Sequence, residues 1–214
     1  MKHKRIILIL AYFISLSLAG VSARFIDGGL ELTFGISSLF MIVVSLVLFH
    51  SHLKKEWHRL WEQVSQMRFL SDVFRYYLMI YALNILLVPF INYLSGGAET
   101  TVNQEILSRL STGPLIFIAL FEAPLVEELV CRESILGGVN PNNKGMKIAM
   151  SICSMAIFIL LHVTIWYEIL TYLPLAFVLV VFYWRYKQNI WAPICLHLLN
   201  NMIAVVLMIV FSIY

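Results

Sequence analysis

The sequence predicts an all-α fold, a polytopic bundle of about seven transmembrane helices with the N-terminus in the cytoplasm. Hydrophobic residues make up 61% of the 214-residue chain and charged residues only 13%, about half the charged share of an average soluble domain. The apolar residues fall into runs of about 20, the length that crosses a bilayer as a helix. Because no long polar linker separates these runs, we expect residues 1–214 to form a single integral membrane domain.

Three accessory spans are predicted in the N-terminal half, residues 1–112. The first follows a basic start and therefore resembles a secretory signal peptide. Its length and the number of spans after it favour a retained helix over a cleaved one. The three predicted spans cover residues 6–23, 32–49 and 76–94.

A charged and aromatic segment, residues 50–75, separates the second span from the third. Leu53, Trp57 and Leu60 recur in it at helical spacing, with basic residues between them. This pattern is typical of an amphipathic helix on the cytoplasmic membrane surface, and a solvated connecting helix fits it equally well.

The C-terminal half, residues 113–214, holds four further predicted spans and is the expected catalytic core. The first of the four is charged and ends at a turn signal rich in glycine, asparagine and proline. The four spans cover residues 113–136, 147–166, 169–183 and 190–214. A half-helix within the polar loop at residues 95–112, or reinsertion of residues 50–75, would raise the total to eight.

The positive charges support a count of seven. With the N-terminus inside, 12 of the 15 Lys and Arg residues fall in the predicted cytoplasmic segments. Arg24 and Arg109 fall in outer segments, and Arg132 lies inside a span. Lys and Arg concentrate on the cytoplasmic side of membrane proteins, so this asymmetry predicts the N-terminus inside and the C-terminus outside. The outer loops also hold acidic residues, namely Asp27, Glu31, Glu99 and Glu105.

The fourth predicted span carries more charge than a lipid-facing helix tolerates. It contains Glu122, Glu127, Glu128, Arg132 and Glu133. Each charged residue at mid-bilayer depth costs about 2.5–3.5 kcal/mol on insertion scales, so these residues must face protein, water or each other. Glu128 and Arg132 are four residues apart and can pair within the helix. Glu127, rotated by about 100°, is free to face another helix.

Two other predicted spans carry histidine at depth. His162 lies in the fifth span, and His197 lies in the seventh, on the same helix face as Asn201. The fourth, fifth and seventh predicted spans thus each carry polar side chains that can meet at one buried site. At about 1.5 Å per residue, however, His162 lies about 10 Å deeper than Glu127 and His197. The fifth span must therefore begin later than predicted, tilt or break.

These groups suffice for hydrolysis of an amide bond inside the membrane. A carboxylate and a histidine in a shielded pocket can hold and deprotonate a water. A second histidine and an amide can donate hydrogen bonds to the oxyanion that forms when water attacks a carbonyl. Structural interpretations stand beside this one. A lone buried histidine often links helices, Glu128 and Arg132 can be a structural pair, and Glu122 and Glu133 can be polar contacts near the helix ends.

Three motifs in a fixed order carry a family resemblance. Residues 127–132 read EExxxR, residues 158–162 read FxxxH, and residues 197–201 read HxxxN. With these motifs on three apolar helices, residues 113–214 resemble the CAAX protease and bacteriocin-processing (CPBP, or Abi) family of intramembrane proteases. That family includes the endopeptidases that trim prenylated CAAX proteins.

The resemblance implies an intramembrane endopeptidase whose site is formed by the motif residues. These are Glu127, Glu128, Arg132, His162, His197 and Asn201. By the family pattern, Glu127 and His162 activate the water, and His197 and Asn201 form the oxyanion site. The other two residues complete the first motif.

The expected enzyme requires no cofactor, because the family's glutamate-based mechanism needs no metal. Family members are nevertheless often labelled metalloproteases, and two histidines with a glutamate can ligate zinc. In that alternative the ligands are Glu127, His162 and His197.

The expected partners are the lipid bilayer and a membrane-associated peptide or protein substrate. The short chain resembles the bacterial members of the family, which implies a bacterial plasma membrane and a role in peptide or bacteriocin processing or in self-immunity. The alternative is a non-catalytic membrane scaffold or immunity protein that binds a peptide or a sensor kinase, and a small transporter is a third hypothesis. A dense basic and aromatic patch is missing, so nucleic acid binding is not expected. The sequence leaves the oligomeric state open.

Overall fold

The computed structural model describes residues 1–23, 25, 29–97 and 101–211. Every regular element in these ranges is helical, which confirms the predicted all-α class. Four residues that the sequence analysis assigns to loops or to the end of a span lie outside the described residues: Arg24, Asp27, Glu99 and Tyr214.

Eight α-helices occupy the described ranges. They are α1 (Lys2–Ser22), α2 (Gly29–Gln63), α3 (Gln66–Ser95), α4 (Val102–Ser108), α5 (Thr112–Phe117), α6 (Lys144–Leu160), α7 (Ile169–Arg185) and α8 (Trp191–Phe211). Helix α5 continues directly into two π-helical segments, Ile118–Glu127 and Leu129–Ser134. We call residues 112–134 the wide helix, and it covers nearly all of the fourth predicted span.

Five described helices are long and apolar enough to cross a membrane. They are Lys2–Ser22, Glu31–Gln63, Gln66–Ser95, Trp166–Arg185 and Trp191–Val210. The wide helix is excluded from this set by its charges and its change of helix type. Helix α6 has 17 residues, a length of about 26 Å against a hydrocarbon core of about 30 Å. A polytopic helical bundle is therefore confirmed, while the total of seven or eight spans and the orientation stay predictions.

The predicted amphipathic segment, residues 50–75, is not a separate helix. Helix α2 runs through the first part of it without a break to Gln63, and α3 begins at Gln66 after two non-helical residues. Leu53 and Leu60 are buried, and the ring of Trp57 lies 5.0 Å from that of Trp191 at the start of α8. The apolar stripe that helical periodicity reveals thus packs against protein.

Helix α6 ends earlier than the fifth predicted span. It starts at Lys144, where the side chain of Asn143 accepts a hydrogen bond from the Met146 N–H at 3.0 Å, and it ends at Leu160. His162 therefore lies in the connection beyond the helix. The sequence analysis placed His162 too deep for Glu127 and His197 unless the fifth span began later, tilted or broke, and the structure shows a break.

Glu133, at the end of the wide helix, connects four helices at one end of the bundle. Its Oε1 accepts a hydrogen bond from Nη2 of Arg5 at 2.7 Å, and its Oε2 accepts one from the Tyr183 hydroxyl at 3.0 Å. Nε2 of His52 lies 3.2 Å from Oε2. Since Glu133 is 1% exposed, these contacts from α1, α2 and α7 provide its charge compensation, and the polar contact expected for this residue is present.

The turn between α7 and α8 completes the same end of the bundle. Lys187 and Gln188 have φ values of 51° and 61°, a left-handed conformation that non-glycine residues seldom adopt. In this turn Nε2 of Gln188 donates to the carbonyls of Leu136 and Val139 at 2.8 and 3.0 Å. The turn thereby contacts the backbone that follows the wide helix.

We predict that Gly137→Ala lowers the free energy of unfolding by about 1–3 kcal/mol through overpacking. A Cβ at this position would lie 2.6 Å from the Glu133 carbonyl oxygen and 2.6 Å from Nη2 of Arg5. Unfolding in mixed micelles by titration with a denaturing detergent measures the change. Gly35→Ala in α2 is the matched control, because its Cβ meets nothing within 4 Å. Equal stability of the two variants would contradict the close docking of Arg5.

Candidate active site

The wide helix presents its charged residues in a register that an α-helix would not give. In a π-helix each N–H bonds to the carbonyl five residues earlier. The Ser134 hydroxyl donates to the Leu129 carbonyl at 2.8 Å across the same spacing. Residues five apart therefore share a face, and Glu122 and Glu127 both line one cavity. In an α-helix, residues five apart point about 140° away from each other.

Pro124 leaves one carbonyl of the wide helix without its helical donor. Proline has no N–H, and in the π register that N–H would bond to the carbonyl of Ala119. Nδ2 of Asn201 donates to the Ala119 carbonyl at 2.9 Å instead. Asn201 is thus fixed against the wide helix by a backbone group that the proline releases.

His162 faces Glu127 from the connection after α6. Its Nδ1 contacts the Phe158 carbonyl at 2.7 Å, and because a carbonyl only accepts, Nδ1 carries the proton. Its Nε2 lies 3.4 Å from Oε2 of Glu127, an ion-pair distance. Oε2 receives no well-aligned hydrogen bond from the residues that the structure describes. Glu127 therefore faces another element, as predicted, and one of its oxygens is open to a further donor.

Glu128 joins the wide helix to α8. Its Oε1 accepts a hydrogen bond from Nη1 of Arg132 at 3.1 Å, and it lies 2.9 Å from Nδ1 of His197. Glu128 and Arg132 are fully buried, and His197 is 2% exposed. The predicted pairing of Glu128 with Arg132 within the helix is confirmed. With Glu128 as the acceptor, Nδ1 of His197 carries a proton and its Nε2 is left for the cavity.

Phe158 packs the polar parts of the site against one another. Its ring stacks on that of His162, with centroids 4.5 Å apart, and meets the ring of His197 edge-on at 5.8 Å. The guanidinium carbon of Arg132 lies 4.4 Å from its centroid, a cation–π distance. The sequence analysis names Phe158 only as a motif position, and its place in the FxxxH motif is the signal that could have assigned it this role.

A cavity of about 750 Å³ lies beside these residues. Apolar side chains from α1, α2, the wide helix and α8 form much of its wall, and α4 borders it as well. Its ionisable and amide side chains near the motifs are Glu122, Glu127, His162, His197, Asn200 and Asn201. The three motifs therefore meet at one buried cavity, as the sequence predicts.

The placement of three further cavity residues was missed by sequence reasoning. Glu122 does not form a contact near the helix end, because the π register turns it into the cavity. Nδ2 of Asn200 donates to Oδ1 of Asn201 at 3.2 Å. The ring of Tyr172 lies 5.1 Å from that of His162, and its hydroxyl contacts Oγ1 of Thr101 at 3.0 Å. Only the contact of Asn200 had a signal in the sequence, namely its position next to Asn201. The placement of Tyr172 depends on packing near α4 and that of Glu122 on the π register, and neither has a clear sequence signature.

The three residues of the alternative zinc site all line the cavity. In the described part of the chain, no three His, Cys, Asp or Glu side chains converge so that they could hold a metal ion. The residues considered for zinc, Glu127, His162 and His197, therefore do not fit a metal centre in this arrangement.

The fold and the site together define a class: an integral membrane helical bundle with two buried glutamate–histidine pairs beside a cavity. Residues 109–203, which include all three motifs, match the family model of the type II CAAX prenyl endopeptidases, Rce1-like. This part of the chain is therefore similar to the CAAX-type prenyl endopeptidases that the model describes. No curated protein and no solved structure matches the chain.

We predict that Glu128→Gln lowers the free energy of unfolding by about 3–5 kcal/mol, because it leaves the buried Arg132 guanidinium uncompensated. Replacing both partners by apolar residues, in Glu128→Leu with Arg132→Met, is expected to restore much of that stability. Detergent-titration unfolding measures both changes. Glu62→Gln, an exposed substitution in α2, is the control, and a Glu128→Gln effect no larger than this control would contradict the buried ion pair.

Proposed function

We propose that the protein is an intramembrane endopeptidase that hydrolyses a peptide bond of a membrane-associated peptide or protein. The observation that carries this proposal is the 3.4 Å approach of His162 to Glu127 at the wall of a cavity of about 750 Å³. A buried carboxylate–imidazole pair beside a space of this size can hold one water and take its proton. The family match over residues 109–203 supports the same reaction class.

In this proposal Glu127 and His162 activate the attacking water. Nδ1 of His162 is committed to the Phe158 carbonyl, so only Nε2 faces Glu127. The water donates one proton to this pair as its oxygen bonds to the substrate carbonyl carbon. The same proton then passes to the amide nitrogen as the C–N bond breaks, which releases an amine and a carboxylic acid.

The oxyanion of the tetrahedral intermediate is assigned to α8. Nδ2 of Asn201 uses one proton for the Ala119 carbonyl and has a second to donate. Nε2 of His197 donates when the imidazole carries both protons, and Oε1 of Glu128 holds the ring in place through Nδ1 at 2.9 Å. Donors fixed in this way need no reorganisation when the negative charge develops.

The biological setting that we propose is a bacterial plasma membrane. There the enzyme would process a peptide such as a bacteriocin, or contribute to self-immunity, in keeping with the bacterial members that the chain resembles. The alternative is a non-catalytic scaffold or immunity protein that uses the same cavity to bind a peptide or a sensor kinase. The substitutions below separate the two, since a scaffold retains its biological effect when the water-activating pair is removed.

We predict that Glu127→Gln and His162→Gln each lower the rate of peptide cleavage by about 10²–10⁴-fold, the usual contribution of a general base. The purified variants are incubated in detergent with a membrane peptide library, and mass spectrometry identifies the new ends. Glu62→Gln and His58→Gln, exposed positions on α2, are the matched controls, and all proteins are compared by thermal melting. Cleavage that survives both site substitutions would rule out the proposed roles.

We predict that a chelator leaves wild-type cleavage unchanged, because the proposed base is the Glu127–His162 pair itself. The measurement compares initial rates before and after exhaustive dialysis against the chelator, with zinc added back to one portion. Loss of activity that zinc restores would replace this mechanism by a metal-dependent one.

A further inference from the structure

Glu122 differs from the other buried carboxylates of the described chain. Those of Glu56, Asp72, Glu127, Glu128 and Glu133 each have a cationic or histidine partner, with Arg59, Arg185, His162, Arg132 and Arg5 respectively. Glu168 accepts hydrogen bonds from the backbone N–H groups of Val102, Thr164 and Ile165. Glu122 is 8% exposed, yet the described residues offer it neither a hydrogen bond nor an ion pair.

The carboxylate of Glu122 faces the cavity. It lies in the first π segment, five residues before Glu127, and both side chains line the cavity wall. Tyr12 of α1 lines the same wall. An unpaired carboxylate in such surroundings is unfavourable, so a partner brought by a ligand would relieve the burial of this group.

The charge of the cavity wall indicates which ligand fits. Three glutamates line the cavity, with Glu105 exposed on α4 and the other two buried. No lysine or arginine among the described residues lines it. Electrostatic complementarity therefore favours a cation in this space and disfavours an anion.

We propose that Glu122 is a specificity-determining residue that binds a Lys or Arg side chain of the substrate, near the bond that is cut. This inference rests on the proposed protease function and narrows its substrates to peptides with a basic residue near the scissile bond. Glu127 activates the water, and Glu122, on the same helix face, fixes the register of the peptide. The apolar remainder of the cavity wall contacts the uncharged side chains of the substrate peptide.

Binding is tested first, in the Glu127→Gln protein, so that cleavage is slow compared with the binding measurement. The probes are two acetylated apolar peptides that differ only in one central residue, lysine or its uncharged isostere norleucine. Acetylation removes the terminal ammonium, so the side chain is the one cation. We expect the lysine peptide to bind about tenfold more tightly or better, the effect of one charge-assisted bond. Adding Glu122→Gln should remove this difference, and Glu122→Asp should retain part of it.

Cleavage is tested in parallel with an acetylated peptide library that holds lysine, norleucine or glutamate in equal amounts at each position. The wild type should favour lysine at one fixed distance from the cut, and Glu122→Gln should abolish the preference while it still cleaves. Glu105→Gln is the matched control on the exposed part of the wall. A lysine preference that persists in Glu122→Gln, or that the wild type lacks, overturns the inference and leaves the protease standing. A folded wild type that binds the lysine peptide selectively but cuts nothing overturns the proposed function alone.

Discussion

The need to compensate buried charge governs the arrangement of this bundle. The wide helix brings several carboxylates and one guanidinium into an apolar interior, where an unpaired charge is strongly unfavourable. Arg132 and His197 meet Glu128, Arg5 meets Glu133, and His162 meets Glu127. Because these partners come from α1, α8 and the end of α6 as well as from the wide helix, charge compensation fixes which helices pack against it.

The π register determines which of these charges face each other. It places Glu122 and Glu127 on one side of the helix. Pro124 also lies inside the helix, and the Ala119 carbonyl, which loses its helical donor there, accepts a hydrogen bond from Asn201. π-Helical segments are uncommon in proteins, but those that occur are often at functional sites. The cavity is therefore a consequence of helix type as much as of side-chain identity.

Much of the site was predictable from short-range spacing. The separation of four residues between Glu128 and Arg132 predicts their pairing, and the separation between His197 and Asn201 predicts a shared face, because both depend only on α-like geometry over one turn. Hydrophobic run lengths predict helices α1 and α8 and the first part of α2, because these features also depend only on the local sequence. Convergence of the motifs was predictable because ionisable side chains within membrane spans face the interior of the bundle and not the lipid.

What the sequence did not reveal depends on longer-range geometry. The orientation of Glu122 requires the π register, which no propensity scale distinguishes from a continued α-helix. The end of α6 at Leu160 lies within an apolar run, so hydropathy carries the fifth span past it. Residues 50–75 have the periodicity of a surface helix, but periodicity marks an apolar face without saying whether lipid or protein covers it.

The contacts at the Glu133 end of the bundle bear on how the protein is made. Arg5 and Glu133 are separated by 128 positions, and Trp191 and Leu53 by 138. At a synthesis rate of about 5–20 residues per second, Arg5 precedes Glu133 by about 6–26 s. Arg5 therefore has no Glu133 partner during this interval, and this end of the bundle closes only after α8 has begun to emerge from the ribosome. The half of the chain that carries the three motifs is thus synthesised last, after the N-terminal helices that it contacts.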